Sequence, residues 1–225
     1  MKRNEFKNSN KEIYNLILEL QSINEIESFA LAGGTSLALR YNHRISIDID
    51  LFSSTTIGKI GFEAIQKKLK LHYQDSLKFC ELINAESGNQ YCFLRALINK
   101  EGNDIKVEFI QNIQILEPVE LYESVKIISI KDIGMMKLMS ASSRKAKKDI
   151  YDLDFITEEY ELEILLDLLK VKMNRFCKIE HRNLFDLDND PSPTDNIALL
   201  LEFDNIDYSS IPKRPSHSND RIDIV

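Results

Sequence analysis

The chain has 225 residues, 43% of them hydrophobic, and a formal net charge of −7. That size and apolar content sustain one large domain, or a domain with a helical appendage, around a real core. The acidic balance excludes a protein coated in basic charge for indiscriminate nucleic-acid binding, though a local basic stripe suffices for an RNA substrate.

Residues 1–10 are polar and lack the apolar core of a signal peptide. Over residues 11–28, Ile13, Leu16, Ile17, Leu20 and Ile23 recur with helical period, and Ser9 or Asn10 stands where a cap belongs. Residues 29–32 predict a short strand entering Gly33-Gly34, and residues 35–41 a short helix with Leu37, Ala38 and Leu39 inward. Residues 48–52 read as a buried strand, because the run is short, β-branched and bounded by polar residues. A second amphipathic helix is predicted over 57–71, then strands over 77–83, 91–99 and 105–110, separated by the turns Gly88-Asn89 and Gly102-Asn103. Residues 125–130 supply a further short strand.

After Ser129 the pattern turns helical. Ser129 is placed as an N-cap with Asp132 at the third helical position, and Ile133, Met136, Leu138 and Met139 form an apolar stripe. Two more helices are predicted over 147–158 and 161–176. From Asn189 the chain is turn-rich, and the polar residues 213–225 read as a flexible tail. No apolar run is long enough to span a bilayer. The three cysteines, Cys80, Cys92 and Cys177, are widely spaced without a Cys-x-x-Cys pair, which predicts free buried thiols in a reducing cytoplasm.

The chemistry concentrates around Asp48 and Asp50. Alternate strand residues share a face, so both carboxylates project together, with Ile47, Ile49 and Leu51 opposite. Adjacent carboxylates repel, and a divalent cation that prefers oxygen, Mg²⁺ or Mn²⁺, is the usual compensation. The competing reading, a surface strand with exposed acids, fits poorly with the flanking Ile, Leu and Phe. Glu108, in another apolar run, is the candidate third carboxylate, since neighbouring strands lie about 4.8 Å apart; otherwise it is a strand-edge acid. Gly33 and Gly34 let backbone approach phosphates at a helix start, with a hydroxyl from Thr35 or Ser36, or else form a tight turn capped by Thr35. Arg44 and Ser46 offer the triphosphate a cation and a hydroxyl, while His43 reads as loop-positioning. The four histidines make no zinc-like spacing. In the helical part, Asp149 and Asp152 share a helix face, placed to pair with Arg144, Lys145 or Lys148 and hold helices together.

The stretch Gly-Gly-Thr-Ser-Leu-Ala-Leu-Arg, followed by His-Arg-Ile-Ser-Ile-Asp-Ile-Asp-Leu-Phe, spans residues 33–52. It resembles the nucleotidyltransferase family of AbiEii/AbiGii toxins, a branch of the DNA polymerase β-like superfamily. The set Lys137, Arg144, Lys148-Asp149 and Asp152-Leu153 is similar to the family's downstream motif. The resemblance implies an α/β (α+β) fold: a polymerase-β-like lobe with a mixed sheet flanked by helices over 1–128, then a helical lobe over 129–212 that completes the nucleotide cleft. It implies an enzyme that moves a nucleoside monophosphate from an NTP to an acceptor hydroxyl and releases pyrophosphate. Asp48, Asp50 and Glu108 would hold Mg²⁺ or Mn²⁺; Gly33, Gly34, Thr35, Ser36, Arg44 and Ser46 would bind the triphosphate. Lys137 would contact phosphates, and Asp149 or Asp152 would complete the cleft. Family members more often have Asp where Glu108 stands. The implied role is a toxin of a toxin–antitoxin or abortive-infection pair, with a separate antitoxin protein, no membrane, and an acceptor such as the 3′ end of tRNA. The alternatives are an enzyme of the same fold acting on a small molecule or a protein, and a catalytically impaired relative acting as a partner-binding module.

Overall fold

A computed structural model of the chain describes residues 10–188, 190–203 and 211. Ser9 and the expected flexible tail over 213–225 lie outside the described residues.

Helix α1 (Lys11–Gln21) buries Ile13, Leu16, Ile17 and Leu20. It ends before the hydrophobic period does. Ser22 donates its hydroxyl to the Glu19 carbonyl at 2.6 Å, and the chain tightens into a 3₁₀ turn, Asn24–Ile26, that keeps Ile23 and Ile26 buried. Strand β1 (Ala30–Ala32) runs directly into helix α2 (Gly33–Tyr41). Strand β2 (Ile49–Phe52) and helix α3 (Gly58–Tyr73) follow. Strands β3 (Leu77–Asn84), β4 (Cys92–Lys100) and β5 (Asn103–Ile110) form an antiparallel meander. Strands β6 (Glu120–Tyr122) and β7 (Val125–Ile127) make a hairpin, of which the sequence pattern gave only the second strand. Helices α4 (Ile130–Arg144), α5 (Lys147–Ile156) and α6 (Leu162–Arg175) complete the order. As the spacing predicts, Ser129 caps α4, accepting from the Asp132 N–H at 3.1 Å.

The seven strands make one mixed sheet in the order β3-β4-β5-β2-β1-β7-β6, with β2/β5 and β1/β7 parallel. Its two faces carry separate cores. On one, Leu31, Ile49, Leu51, Leu94, Val107 and Phe109 pack with α1 and α3. On the other, Ala30, Ala32, Phe52, Phe93 and Ile110 pack with α4, α5 and α6. Ile127 joins the first core and Ile128 the second, so the chain changes face as the helical part begins.

Two details depart from the sequence pattern. Strand β2 begins at Ile49, so Asp48 precedes it, and Ile47 is exposed rather than inward. The cause is topological: β1 ends at Ala32, opposite Asp50, and α2 starts immediately, leaving residues before Ile49 no strand partner on that side. Cys177, just past α6, is exposed, whereas Cys92 is buried and Cys80 partly so; all three are free thiols. No described helix is long and apolar enough to cross a membrane.

Candidate active site

Cross-strand pairing builds an ionised row on the face of the sheet that carries α4 to α6. Ala32, Asp50, Glu108, Arg95 and Glu81 are successive partners across β1, β2, β5, β4 and β3. Glu108 accepts from Arg95 Nε at 2.7 Å and lies 3.2 Å from Lys106 Nζ. The same Lys106 ammonium stands 3.5 Å from Asp48, so one lysine bridges two of the three candidate metal carboxylates. Burial, then the Glu108 charge, raises the Asp50 carboxyl from 3.8 to about 6, with Lys106 opposing and Asp48 adding to the rise. Among the described residues no three His, Cys, Asp or Glu side chains already stand as a metal-binding cluster. The donor set is nonetheless three hard oxygen ligands with charge in excess, which suits Mg²⁺ or Mn²⁺.

The glycine pair is demanded by what lies against it. Gly33 has φ +63°, and a β-carbon there would fall 2.2 Å from Asp50 Oδ2. A β-carbon on Gly34 would fall 2.2 Å from Arg44 Nη2 and 3.1 Å from Ser46 Oγ. These residues therefore bring Asp50, Arg44 and Ser46 against the start of α2. Thr35 and Ser36 are fully buried and do not line the cleft. Thr35 donates its hydroxyl to the Asp48 carbonyl and sits 3.0 Å from Ser46 Oγ, which fixes the loop that carries Asp48. Among the described residues the Ser36 hydroxyl has no hydrogen-bond partner.

Asp149 and Asp152 face cations, not the open cleft. Asp152 accepts from Arg44 Nε at 2.6 Å and Arg44 Nη2 at 2.8 Å, and lies 2.7 Å from both His43 Nε2 and Lys137 Nζ. Burial would raise its carboxyl, but the Lys137 charge and the hydrogen bonds from Arg44 and His43 overcome that and hold it well below the usual carboxylate range. Asp149 is lowered in the same way by Lys137 at 2.8 Å and by the Arg144 fork at 2.6 and 2.8 Å. Of the cations expected to pair with these acids, Arg144 does so, while Lys145 pairs with Glu202 instead. His43 stacks on Tyr151, ring centroids 5.7 Å apart and 8° from parallel, which locks the loop before β2 onto α5. Asp132 serves the loop before α4, accepting from the Leu116 and Glu117 N–H groups at 2.8 and 3.0 Å.

Between the ionised row, α4 and α6 lies a cleft of about 1060 Å³. Gly33, Gly34, Arg44, Ser46, Asp48, Asp50, Glu108 and Lys137 all line it. So do groups that sequence reasoning missed: Lys106, Lys172 and the ring of Phe185. Burial, then the charges of Arg144, Lys137 and Arg44, lowers the Lys148 ammonium; burial also lowers Lys172 against the pull of Asp132 and Asp186. Lys106 was findable, since it sits two residues before Glu108 on the same strand face. Lys172 and Phe185 carry no local signal, because Lys172 reaches the cleft through the packing of α6 and Phe185 through the return of the chain after α6.

Comparison with known proteins gives the family and the fold. The family described as "Nucleotidyl transferase AbiEii toxin, Type IV TA system" matches residues 20–213. The uncharacterized protein aq_aa25 of Aquifex aeolicus is 27% identical over 164 residues, 72% of this chain and 74% of that one. A crystal structure of a protein assigned as a nucleotidyltransferase, from Helicobacter pylori, superposes with a TM-score of 0.50 at 19% identity, covering 88% of this chain and 90% of that one. The crystal structure of JHP933 from the same organism gives the same score and identity over 88% and 87%.

Proposed function

Because the chain belongs to the AbiEii nucleotidyltransferase toxin family, we propose that it is a metal-dependent enzyme that moves a nucleoside monophosphate from an NTP to a hydroxyl of tRNA in the cytoplasm. The observation that carries this is the convergence of Asp48, Asp50 and Glu108 with Arg44, Lys137 and the Gly33–Gly34 turn in one cleft. As in other type IV systems, a separate antitoxin protein is the expected partner.

Asp48 and Asp50 are the residues that would hold Mg²⁺ or Mn²⁺, with Glu108 as a third donor once it leaves Lys106. Bound there, the ion would neutralise charge on the phosphates and on the departing pyrophosphate. Gly33 and Gly34 admit the triphosphate close to backbone N–H groups at the start of α2. Arg44, Ser46 and Lys137 orient it, and Arg144 and Lys148 add cationic charge. Asp149 and Asp152 act through these cations: they hold Lys137 and Arg44 in place and touch no substrate. Thr35 acts likewise on the Asp48 loop. In the transfer, the acceptor oxygen forms a bond to the α-phosphorus as the bond to the β-phosphate oxygen breaks. The electron pair leaves with pyrophosphate, and the acceptor proton passes to a cleft carboxylate, Asp50 or Glu108.

The test incubates the protein with each α-labelled NTP, Mg²⁺ and total tRNA, beside an Asp48→Ala/Asp50→Ala control. Label on tRNA from the wild type alone is the expected result. Binding of NTP without transfer would redirect the assignment to a small-molecule or protein acceptor. Absence of both would make this a partner-binding relative whose Glu108 is held by Arg95 and Lys106.

A further inference from the structure

We propose that Phe185 is the platform on which the nucleobase of the bound NTP stacks, an assignment that rests on the NTP-binding function proposed above. Phe52 follows Asp50 by two residues on the same face of β2, which places it about 6.6 Å farther along the strand. The Phe185 ring packs on Phe52, with centroids 5.7 Å apart and planes 54° from parallel. Phe52 is buried, but Phe185 remains 52% exposed within the cleft. One side of its ring is therefore supported by the sheet while the rest stays open to a ligand.

The ring is presented by a clamped turn. Asn183 accepts from the Phe185 N–H at 2.9 Å, and the Asp186 carboxylate accepts from the Asn183 N–H at 2.8 Å. Arg182 Nη2 donates to the Asp186 carbonyl at 2.7 Å. Asn112, just beyond β5, donates its amide to the Glu180 and Arg182 carbonyls at 3.1 and 2.8 Å, tying the turn to the sheet. The same wall includes His181, whose buried Nδ1 has no hydrogen-bond partner among the described residues. A flat apolar ring held by a clamped turn, seated on Phe52 two residues along β2 from Asp50, matches a nucleobase that offers a π face to stack. Among the described residues that line the cleft, those at the Gly33 and Arg44 end are Ser46, Asp48, Asp50 and Lys137 rather than an aromatic ring, and charge there would favour the phosphates.

The experiment measures equilibrium binding to the full chain in Mg²⁺ by calorimetry, with ATP, CTP, GTP, UTP and inorganic tripolyphosphate as separate probes. Base stacking on an aromatic predicts that Phe185→Ala weakens the preferred NTP about 5- to 100-fold and leaves tripolyphosphate unchanged. Phe185→Tyr should bind like wild type. Phe185→Leu keeps the apolar contact with Phe52 but lacks the π face, so it should resemble the alanine variant while melting like wild type. Equal losses for NTP and tripolyphosphate, or none for either, would overturn the platform. Wild-type protein that binds tripolyphosphate as tightly as every NTP would also overturn it, while leaving the triphosphate site standing. Wild-type protein that binds neither would overturn both assignments.

Discussion

Asp50 is charged at neutral pH against the preference of its surroundings, so its neutralisation should stabilise the metal-free protein. Burial, Glu108 and Asp48 together raise its carboxyl from 3.8 to about 6. At about 1.4 kcal/mol per pH unit, a rise of about two units is worth at most about 3 kcal/mol. Residual solvent around the cleft reduces this, giving about 1–3 kcal/mol. The folded value lies above the unfolded one. The group's favourable contribution is thus complete below about pH 4 and is lost as pH rises through about 6. Asp50→Asn keeps the shape and removes the charge. In EDTA at pH 7.5 the variant should melt about 2–12 °C above wild type, from about 2–4 °C per kcal/mol for a chain of this size. At pH 4 the two should melt together. Adding Mg²⁺ should raise the wild-type Tm more than the variant's, because the variant keeps only two of the three carboxylates. Calorimetric melts from pH 4 to 8, with and without Mg²⁺, give all four comparisons. A variant less stable than wild type at pH 7.5, or a gain that persists unchanged at pH 4, would refute this electrostatic origin.

Asp152→Ala would strip the shared partner from Arg44, His43 and Lys137, and a broken buried ion pair of this kind costs about 3–5 kcal/mol; urea unfolding at pH 7.5 should show it. Because the folded carboxyl is depressed, this stabilisation is present above about pH 4 and lost as pH falls further, so wild type and variant should converge in acid. Gly34→Ala would push a β-carbon into the Arg44 guanidinium that Asp152 holds, at a cost of about 1–3 kcal/mol in Tm-derived stability and with weakened NTP binding by calorimetry. Lys106→Ala would remove the ammonium bridging Asp48 and Glu108; a unit charge at about 4 Å is worth about 1 kcal/mol in water, so Mg²⁺ should bind about fivefold tighter by titration.

Most of the fold was legible because the apolar spacing was unambiguous. Ile13, Leu16, Ile17 and Leu20 could only face one way on a helix, and Leu94, Ala96 and Ile98 only one way on a strand. Strand β6 was not legible: Glu120–Tyr122 are exposed or half-exposed and become a strand only by pairing with β7. In the cleft, local spacing correctly grouped Asp48 with Asp50, yet predicted Ile47 inward. Alternation holds only where a ladder exists, and the ladder starts at Ile49. Which cation each acid would face was a tertiary question. Nothing local distinguished Arg144, which binds Asp149, from Lys145, which turns away to Glu202. Nor could spacing join Arg44 to Asp152 across more than a hundred residues.

The distribution of charge explains why these pieces belong to one site. On the sheet side, the ion pairs of Asp48 and Glu108 among the described residues are with Arg95 and Lys106, and Lys137 adds a weaker pull on Asp50. On the helical side, Arg44, Lys137 and Arg144 pair with Asp149 and Asp152 among the described residues, and Lys148 lies within the field of Asp149. One wall is short of cations and the other has cations to spare, and the strain appears as a raised Asp50 and a lowered Lys148. The two walls neutralise each other only in part: the Lys137 charge lowers Asp50 and the Asp50 charge raises Arg144, yet Asp50 stays raised and Lys148 lowered. A ligand that offers positive charge to one wall and negative charge to the other relieves both at once. Under the proposed function that ligand is a nucleoside triphosphate with its divalent cation: the ion meets the carboxylates and the phosphates meet the cations. A free anion or a free cation relieves only one wall, so each should bind more weakly alone than the pair does together.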